Sequence, residues 1–148
     1  MQQSKEIGLQ RDKITLESQK SEKLLLNILP LETAQELKEK GFATPQAYEK
    51  VSVLFTDFKG FSKIAEHMSE EELVDNLDYC FRAFDHIIKK NGLEKIKTIG
   101  DAYMCAGGIP KPNDSNPLDA VKAAKEMIDF IQDWRADKQA RGEEAWEL

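Results

Sequence analysis

The chain has 148 residues, and its 27 acidic and 21 basic residues leave a formal net charge of −6 at pH 7, with a pI near 5.1. This balance excludes a nucleic-acid-binding protein that relies on a general basic surface, because no Lys/Arg block is present to neutralise phosphates. The longest strongly apolar run, residues 24–29, is far too short to span a bilayer, and the polar N-terminus does not resemble a signal peptide. We therefore expect one domain of ordinary size that contacts neither nucleic acid nor membrane.

The polar segment at residues 1–30 allows two interpretations. Four residues recur at intervals of seven: Ile7, Ile14, Ser21 and Ile28. With Leu25 on the same broad stripe, this spacing is compatible with a short dimeric coiled coil, but few good d positions accompany it. A frayed polar helix or a disordered tail is the alternative. Pro30 interrupts the apolar run that ends this segment and predicts a break or kink in the helix.

Beyond this segment the pattern predicts a short helix followed by a strand. The helix spans residues 31–40, with Ala34 and Leu37 facing inward and a C-terminal cap at Gly41. The strand covers residues 51–56, in which apolar Val and Phe side chains alternate with their neighbours.

A long amphipathic helix comes next. Ser69 and Glu72 form a capping box at its start, and Asn91-Gly92 ends it. Its apolar residues recur at intervals of three and four: Leu73, Leu77, Cys80, Phe81, Phe84, Ile87 and Ile88. Cys80 and Cys105 both lie inside apolar patterns, which predicts two buried, reduced thiols and no disulfide framework.

The last third of the chain predicts a hairpin and a final helix. Residues 93–98 and 102–107 form two short strands around a Gly100-Asp101 turn. Pro117 opens the helix, and six residues are predicted to form its inward face: Leu118, Val121, Ala124, Ile128, Ile131 and Trp134. Residues 145–148 look like the start of a further strand. The element order predicts an α+β, ferredoxin-like sheet with helices on one face, incomplete at the C-terminus, with an edge that a partner chain or a longer protein would cover.

Two aspartates are the candidates for chemistry. Asp57 closes a strand and Asp101 lies in the hairpin turn, and each taken alone is more often a turn residue than a ligand. Together they could bring two carboxylates into one cleft, which suits Mg²⁺ or Mn²⁺ and leaves room for phosphate oxygens. Residues 58–62 then lead into a helix N-terminus, where free N–H groups favour an anion, and Gly60 lets the backbone approach closely. The residues themselves therefore point to metal-assisted phosphoryl chemistry.

At these positions the chain resembles the catalytic domain of the class III nucleotide cyclases, the adenylyl and guanylyl cyclases. Residues 53–62, VLFTDFKGFS, resemble the first metal-binding segment of that family, and residues 95–104, KIKTIGDAYM, resemble the second. Residues 24–30, LLLNILP, resemble the linker that joins upstream signalling helices to such domains. The resemblance covers residues 24–148, which implies a ferredoxin-like cyclase homology domain.

The resemblance implies a metal site and a phosphate site. Asp57 and Asp101 would bind two Mg²⁺ or Mn²⁺ ions, with the Phe58 carbonyl as a further ligand, while the ribose 3′-hydroxyl attacks the α-phosphate and pyrophosphate leaves. The backbone and side chains of five residues would cradle the phosphates: Phe58, Lys59, Gly60, Phe61 and Ser62. Lys97 occupies the position that reads the purine, where adenylyl members carry lysine and guanylyl members glutamate. Because lysine only donates and ionised glutamate only accepts hydrogen bonds, Lys97 favours ATP over GTP.

The implied enzyme is an adenylate cyclase that works as a head-to-tail homodimer, with the metals held by one protomer and the base read by its partner. Residues 1–30 would be a regulatory signalling-helix linker that follows an upstream sensor. Residues 31–148 would be the N-terminal part of a catalytic domain. That domain would be cytoplasmic whether or not the longer protein is membrane-attached. Family domains continue past the position of Leu148 with further strands that carry a second purine-reading residue and an Asn and an Arg. A non-catalytic, dimerising metal- or nucleotide-binding fragment is therefore the alternative, and a guanylate cyclase is a lesser one.

Overall fold

The computed structural model of the chain describes residues 2–29 and 31–148, without the side chains of residues 2, 22 and 25–28. The chain divides into two units, Met1–Gln46 and Ala47–Leu148. Within the described residues, no helix is both long enough and apolar enough to cross a bilayer.

The first unit contains the helices α1 (Gln2–Ile28) and α2 (Leu31–Lys40). Ala34 is buried and Leu37 half-buried, and the Gly41 N–H donates to the Leu37 carbonyl, which confirms the predicted inward face and end of α2. Ile7 and Ile14 are more than half exposed along α1.

The predicted heptad stripe on α1 is described only in part. The side chains of Leu25 and Ile28 lie outside the described residues, as does Pro30 with its predicted kink. The coiled coil therefore stays a prediction, whereas the tail interpretation gives way to a continuous helix.

The second unit contains a three-stranded antiparallel sheet with helices on one face. Its elements follow the order β1 (Ser52–Thr56), α3 (Phe61–Ala65), α4 (Glu70–Lys90), β2 (Glu94–Ile99), β3 (Ala102–Gly107) and α5 (Asn116–Ala140). The strand order β1-β3-β2 places the second strand of the hairpin in the middle. Glu147 forms a single antiparallel bridge with Lys59, just beyond β1. This arrangement confirms the predicted α+β fold.

The core lies between the sheet and the long helices α4 and α5. The Ser69 side chain accepts from the Glu72 N–H (3.2 Å) and the Glu72 carboxylate accepts from the Ser69 N–H (3.1 Å), so the predicted capping box opens α4. The buried residues of the core come from α4, α5, the sheet, the segments that follow β1 and α4, and the chain end: Phe58, Cys80, Phe84, Ile88, Leu93, Tyr103, Cys105, Ala123, Met127, Ile131, Trp134, Ala145 and Trp146.

The inward face predicted for α5 is wrong in part. Ile131 and Trp134 are buried as predicted, but three of the predicted residues are exposed: Leu118, Val121 and Ile128. The buried stripe instead runs through Asn116, Ala123, Met127, Ile131 and Trp134.

Asn116 explains why α5 buries a different face from the predicted one. Its side-chain amide donates to the main-chain carbonyls of Lys50 (3.2 Å) and Asn113 (2.9 Å), and its oxygen accepts from the Ser52 hydroxyl (2.7 Å). Gly107 and Gly108 lie directly against it, since a Cβ at either position would come within 2.8 Å or 2.7 Å of Asn116 atoms. A fully buried polar residue must keep its hydrogen bonds, so Asn116 sets which side of α5 faces the sheet.

The face of the sheet that the helices leave open carries exposed apolar side chains. Val53, Phe55 and Ile99 are each more than half exposed. Phe55 pairs with Met104, and Met104 pairs with Lys97, so these three residues form one row across this open face.

A matched pair of substitutions on α5 tests the corrected orientation. Ile131→Ala should lower the free energy of unfolding by about 2–5 kcal/mol, because Ile131 is 1% exposed within the core. Ile128→Ala makes the same chemical change at a position that is 42% exposed, and should cost less than about 1 kcal/mol. Urea unfolding followed by circular dichroism measures both values, and equal losses would contradict the buried stripe.

Thiol accessibility provides a second test of the core. Burial raises the pKa of Cys80 to about 12 and that of Cys105 to about 11. Both thiols should therefore stay protonated and unreactive toward Ellman's reagent in the native chain at pH 8, and both should react in guanidinium. Fast reaction of either thiol in the native state would show that its side chain is not packed as described.

Candidate active site

The sheet brings the two candidate aspartates together. Thr56 at the end of β1 pairs with Tyr103 near the start of β3, so the residue after β1 and the residue before β3 reach the same end of the sheet. The Asp57 and Asp101 carboxyl groups lie close enough to share a hydrogen bond. The predicted juxtaposition is therefore present within a single chain.

This pair is electrostatically unsatisfied. Partial desolvation raises the pKa of Asp101, and the neighbouring Asp57 carboxyl raises it further. Two adjacent carboxylates repel each other unless a proton or a cation lies between them, and Asp57 is exposed, so a cation could reach the pair. Hard carboxylate oxygens are the donors that Mg²⁺ and Mn²⁺ prefer, so the pair fits such an ion. Among the described residues, no cluster of three or more His, Cys, Asp or Glu side chains is arranged to hold a metal.

The turn after Asp57 is anchored by an aromatic side chain. The Phe58 ring is 3% exposed, and Phe61 is half-buried beside it. The side chain of Phe58 is therefore part of the core and cannot cradle phosphates, which corrects that part of the sequence prediction. The backbone of this turn and the exposed side chains of Lys59 and Ser62 remain available.

Gly60 lets the turn enter α3. Its φ of +70° lies in the left-handed region that glycine adopts without strain, and it precedes α3 as the N-cap residue. Among the side chains that the structure describes, none caps this end of α3. Binding of phosphates by the backbone here stays a prediction.

Lys97 lies apart from the aspartates, on the open face of the sheet. A bulge between Lys95 and Lys97 turns these two lysines to opposite faces. Lys95 lies on the helix side, where its ammonium pairs with Asp85 (2.9 Å), while Lys97 is exposed in the row with Met104. Within the described part of the chain, the structure does not bring Lys97 into contact with Asp57 or Asp101.

Two residues near the chain end contact the turn and were not predicted. Trp146 is fully buried, with its ring centroid 5.3 Å from that of Phe58. The Glu147 main-chain oxygen accepts from the Lys59 N–H (2.8 Å), and its carboxylate contacts Lys59 (3.8 Å) and Arg135 (2.8 Å). The sequence pattern at residues 145–148 indicates only the start of a strand. It does not reveal that Trp146 and Glu147 contact the turn after Asp57.

Comparison with known families agrees with this geometry. Residues 43–143 match the family model described as the adenylate and guanylate cyclase catalytic domain. The chain belongs to this family. Human guanylyl cyclase C is 39% identical over 116 residues, which is 78% of this chain and 11% of that protein. The cyclase domain thus spans about a tenth of the length of the curated relatives it matches.

Solved cyclase structures share the fold. The adenylyl cyclase CyaB from P. aeruginosa superposes with a TM-score of 0.61 at 26% identity, covering 66% of this chain and 51% of that one. The catalytic core of a rhodopsin-guanylyl cyclase with converted specificity, in complex with ATPαS, gives a TM-score of 0.56 at 34% identity, covering 57% and 46%. The neighbours of this cyclase domain therefore include proteins named for either purine.

Replacing Asp101 tests two properties of the carboxylate pair: its effect on the stability of the domain and its ability to bind a metal ion. Asp101→Asn should raise the melting temperature of the metal-free domain at pH 7, because the amide removes a charge that partial desolvation and the neighbouring Asp57 carboxyl disfavour. Because the pKa of Asp101 is raised in the folded state, protonated Asp101 stabilises the fold. This stabilisation is lost as the pH rises through the folded-state pKa, so the carboxylate is destabilising at a pH above it.

Mn²⁺ should raise the melting temperature of the unaltered domain but not of the Asp101→Asn variant. The matched control is Asp114→Asn, which changes an exposed aspartate in the loop before α5. It should leave the melting temperatures with and without Mn²⁺ nearly the same as those of the unaltered domain. A lower melting temperature for metal-free Asp101→Asn would contradict the repulsion.

Proposed function

We propose that this domain is an adenylate cyclase, which converts ATP to 3′,5′-cyclic AMP and pyrophosphate. The observation that carries the proposal is the contact between Asp57 and Asp101 at one end of the sheet, in a chain that belongs to the cyclase catalytic domain family. Two adjacent carboxylates with an open approach are what a triphosphate-binding metal site requires.

Asp57 and Asp101, with the Phe58 main-chain carbonyl, would hold Mg²⁺ or Mn²⁺. When bound, such ions offset the charge of the triphosphate and lower the pKa of a hydroxyl group on them. The chain's own contribution is to keep two carboxylates adjacent at one end of the sheet. The backbone of residues 59–62 and the side chains of Lys59 and Ser62 supply donors for phosphate oxygens.

The reaction is an internal displacement at phosphorus. The ribose 3′-oxygen forms a bond to the α-phosphorus, the bond from that phosphorus to the pyrophosphate oxygen breaks, and the hydroxyl proton passes to solvent. Because both reacting groups belong to one ATP molecule, the domain accelerates the step by orienting them and by stabilising the charge of the leaving pyrophosphate.

The charge of Lys97 supports ATP as the substrate. An ammonium group can donate to an acceptor nitrogen of adenine but cannot accept from the donors of guanine. The catalytic core of the rhodopsin-guanylyl cyclase with converted specificity is in complex with ATPαS, which supports the view that this scaffold can take an adenine nucleotide. Guanylate cyclase activity is the second candidate, because curated relatives such as human guanylyl cyclase C carry that name.

The position of Lys97 also supports a shared site in a homodimer. Lys97 lies on the open face, apart from Asp57 and Asp101, so a second protomer could present its own Lys97 to a nucleotide bound at the aspartates. The exposed apolar residues Val53 and Phe55 on the same face would be buried by such a partner. We assign residues 1–30 to a regulatory signalling-helix linker from an upstream sensor, and residues 31–148 to the N-terminal part of the catalytic domain.

Product analysis tests the substrate. The chain is incubated with Mn²⁺ and either ATP or GTP, and cyclic nucleotides are quantified by mass spectrometry. Cyclic AMP should exceed cyclic GMP, and Lys97→Glu should lower the ATP-to-GTP preference by about tenfold, since one charge-assisted hydrogen bond is exchanged for a repulsive contact. Lys111→Glu makes the same charge change in the exposed loop before α5 and should leave the preference unchanged.

Each other outcome selects a different function. A preference for GTP would favour the guanylate cyclase, and an unaltered preference in Lys97→Glu would remove Lys97 from the purine site. Nucleotide binding without any cyclic product would favour the non-catalytic, dimerising fragment.

A further inference from the structure

The turn that carries Asp57 is held from a distant part of the sequence. Phe58 follows Asp57 directly, and its ring is buried. The position of this one residue therefore fixes the backbone from which the Asp57 side chain projects, and with it the distance from Asp57 to Asp101.

Trp146 makes the nearest aromatic contact to Phe58 in the described structure. Their ring centroids lie 5.3 Å apart, whereas the three other aromatic rings around Phe58 lie 6.2–6.5 Å away. Trp146 also packs against Phe61 at 5.1 Å, so it contacts the turn both before and after Gly60. With 0% exposure it has no room to move away from them.

The backbone beside Trp146 completes the attachment. The Lys59 N–H donates to the Glu147 main-chain oxygen at 2.8 Å, and Arg135 on α5 fixes the Glu147 carboxylate at 2.8 Å. The turn is thus held by ring packing at Phe58 and by a main-chain hydrogen bond at Lys59, and both come from adjacent residues of the terminal segment.

We propose that Trp146 is a positioning residue for the metal site, which sets the separation of the Asp57 and Asp101 carboxylates through the ring of Phe58. The inference rests on the proposed function, because it concerns the same pair of carboxylates. In the described part of the chain the ring contacts of Trp146 are with Phe58, Phe61 and Trp134, so it would affect cation affinity through the aromatic residues of the turn and not by touching a carboxylate. Substitution of a residue that orients a metal ligand, without itself contacting the metal, changes the affinity for the metal.

The two tryptophans of the chain provide a matched pair of variants. Trp134 on α5 is also buried and packs against Trp146 at 5.4 Å, but none of its ring contacts within the described residues is with Phe58 or Phe61. Trp146→Phe should weaken Mn²⁺ binding by about tenfold, measured from free Mn²⁺ by electron paramagnetic resonance. Trp134→Phe should leave the affinity within about twofold, because the tenfold effect requires contact with the metal-binding turn.

A second measurement uses the reciprocity of coupled sites. If Trp146 influences cation binding, cation binding must influence Trp146. In the Trp134→Phe variant Trp146 is the remaining tryptophan, and its emission should change on titration with diamagnetic Mg²⁺. Adding Asp57→Asn to that variant should abolish the change. A Trp146 emission that does not respond to Mg²⁺ would overturn the positioning role. This measurement decides the matter if Trp146→Phe does not fold.

The outcomes separate the two proposals. Mn²⁺ affinity that depends on Asp57 but is the same in Trp146→Phe as in the unaltered chain would overturn the role of Trp146 alone. Equal losses in Trp146→Phe and Trp134→Phe would reduce that role to general packing and overturn it as well. Affinity that does not depend on Asp57 would overturn the metal site and the positioning role together.

Discussion

The pairing register of β1 with β3 is the constraint on which the site depends. Thr56 opposite Tyr103 brings the residue after β1 to the residue before β3, which places Asp57 beside Asp101. A slip by one residue would send every side chain of β1 to the other face of the sheet. The register is held at one end by the buried Thr56 and Tyr103 and at the other by the hydrogen bond from Ser52 to Asn116.

The two faces of the sheet serve different purposes. The helix face carries Tyr103 and Cys105 into the core, and there Asp85 accepts from the Tyr103 hydroxyl (2.6 Å) and pairs with Lys95. The open face carries Lys97 among exposed apolar residues. The bulge in β2 places the two lysines on opposite faces. It directs Lys95 toward its ion pair with Asp85 and leaves Lys97 on the open face.

Local signals in the sequence were sufficient for most elements and for the aspartate pair. The capping box of Ser69 and Glu72 depends on neighbours within one turn, and it marks the start of α4 correctly. The juxtaposition of Asp57 and Asp101 required only a strand end and a hairpin turn in adjacent strands. Such features are visible because their causes lie within a few residues.

Tertiary contacts decided what the sequence pattern left undetermined. Apolar residues occur on more than one side of α5, and the contacts of Asn116 with segments about sixty residues away select the buried side. Phe58 reads as a turn residue beside Asp57, yet its ring belongs to the core through Trp146. Neither contact has a local signature in the chain.

The junction between Gly107, Gly108 and Asn116 has a consequence for variation of the domain. A methyl group at position 107 would lie 2.8 Å from side-chain carbons of both Leu93 and Asn116, and one at position 108 would lie 2.7 Å from the Lys50 carbonyl. The base of the loop between β3 and α5 is therefore closed to any side chain. Its tip is exposed at Lys111 and Pro112, ahead of the Asn113 carbonyl that accepts from Asn116. Insertions, labels and changes in loop length belong at that tip, where they leave the base of the loop and the strand register undisturbed.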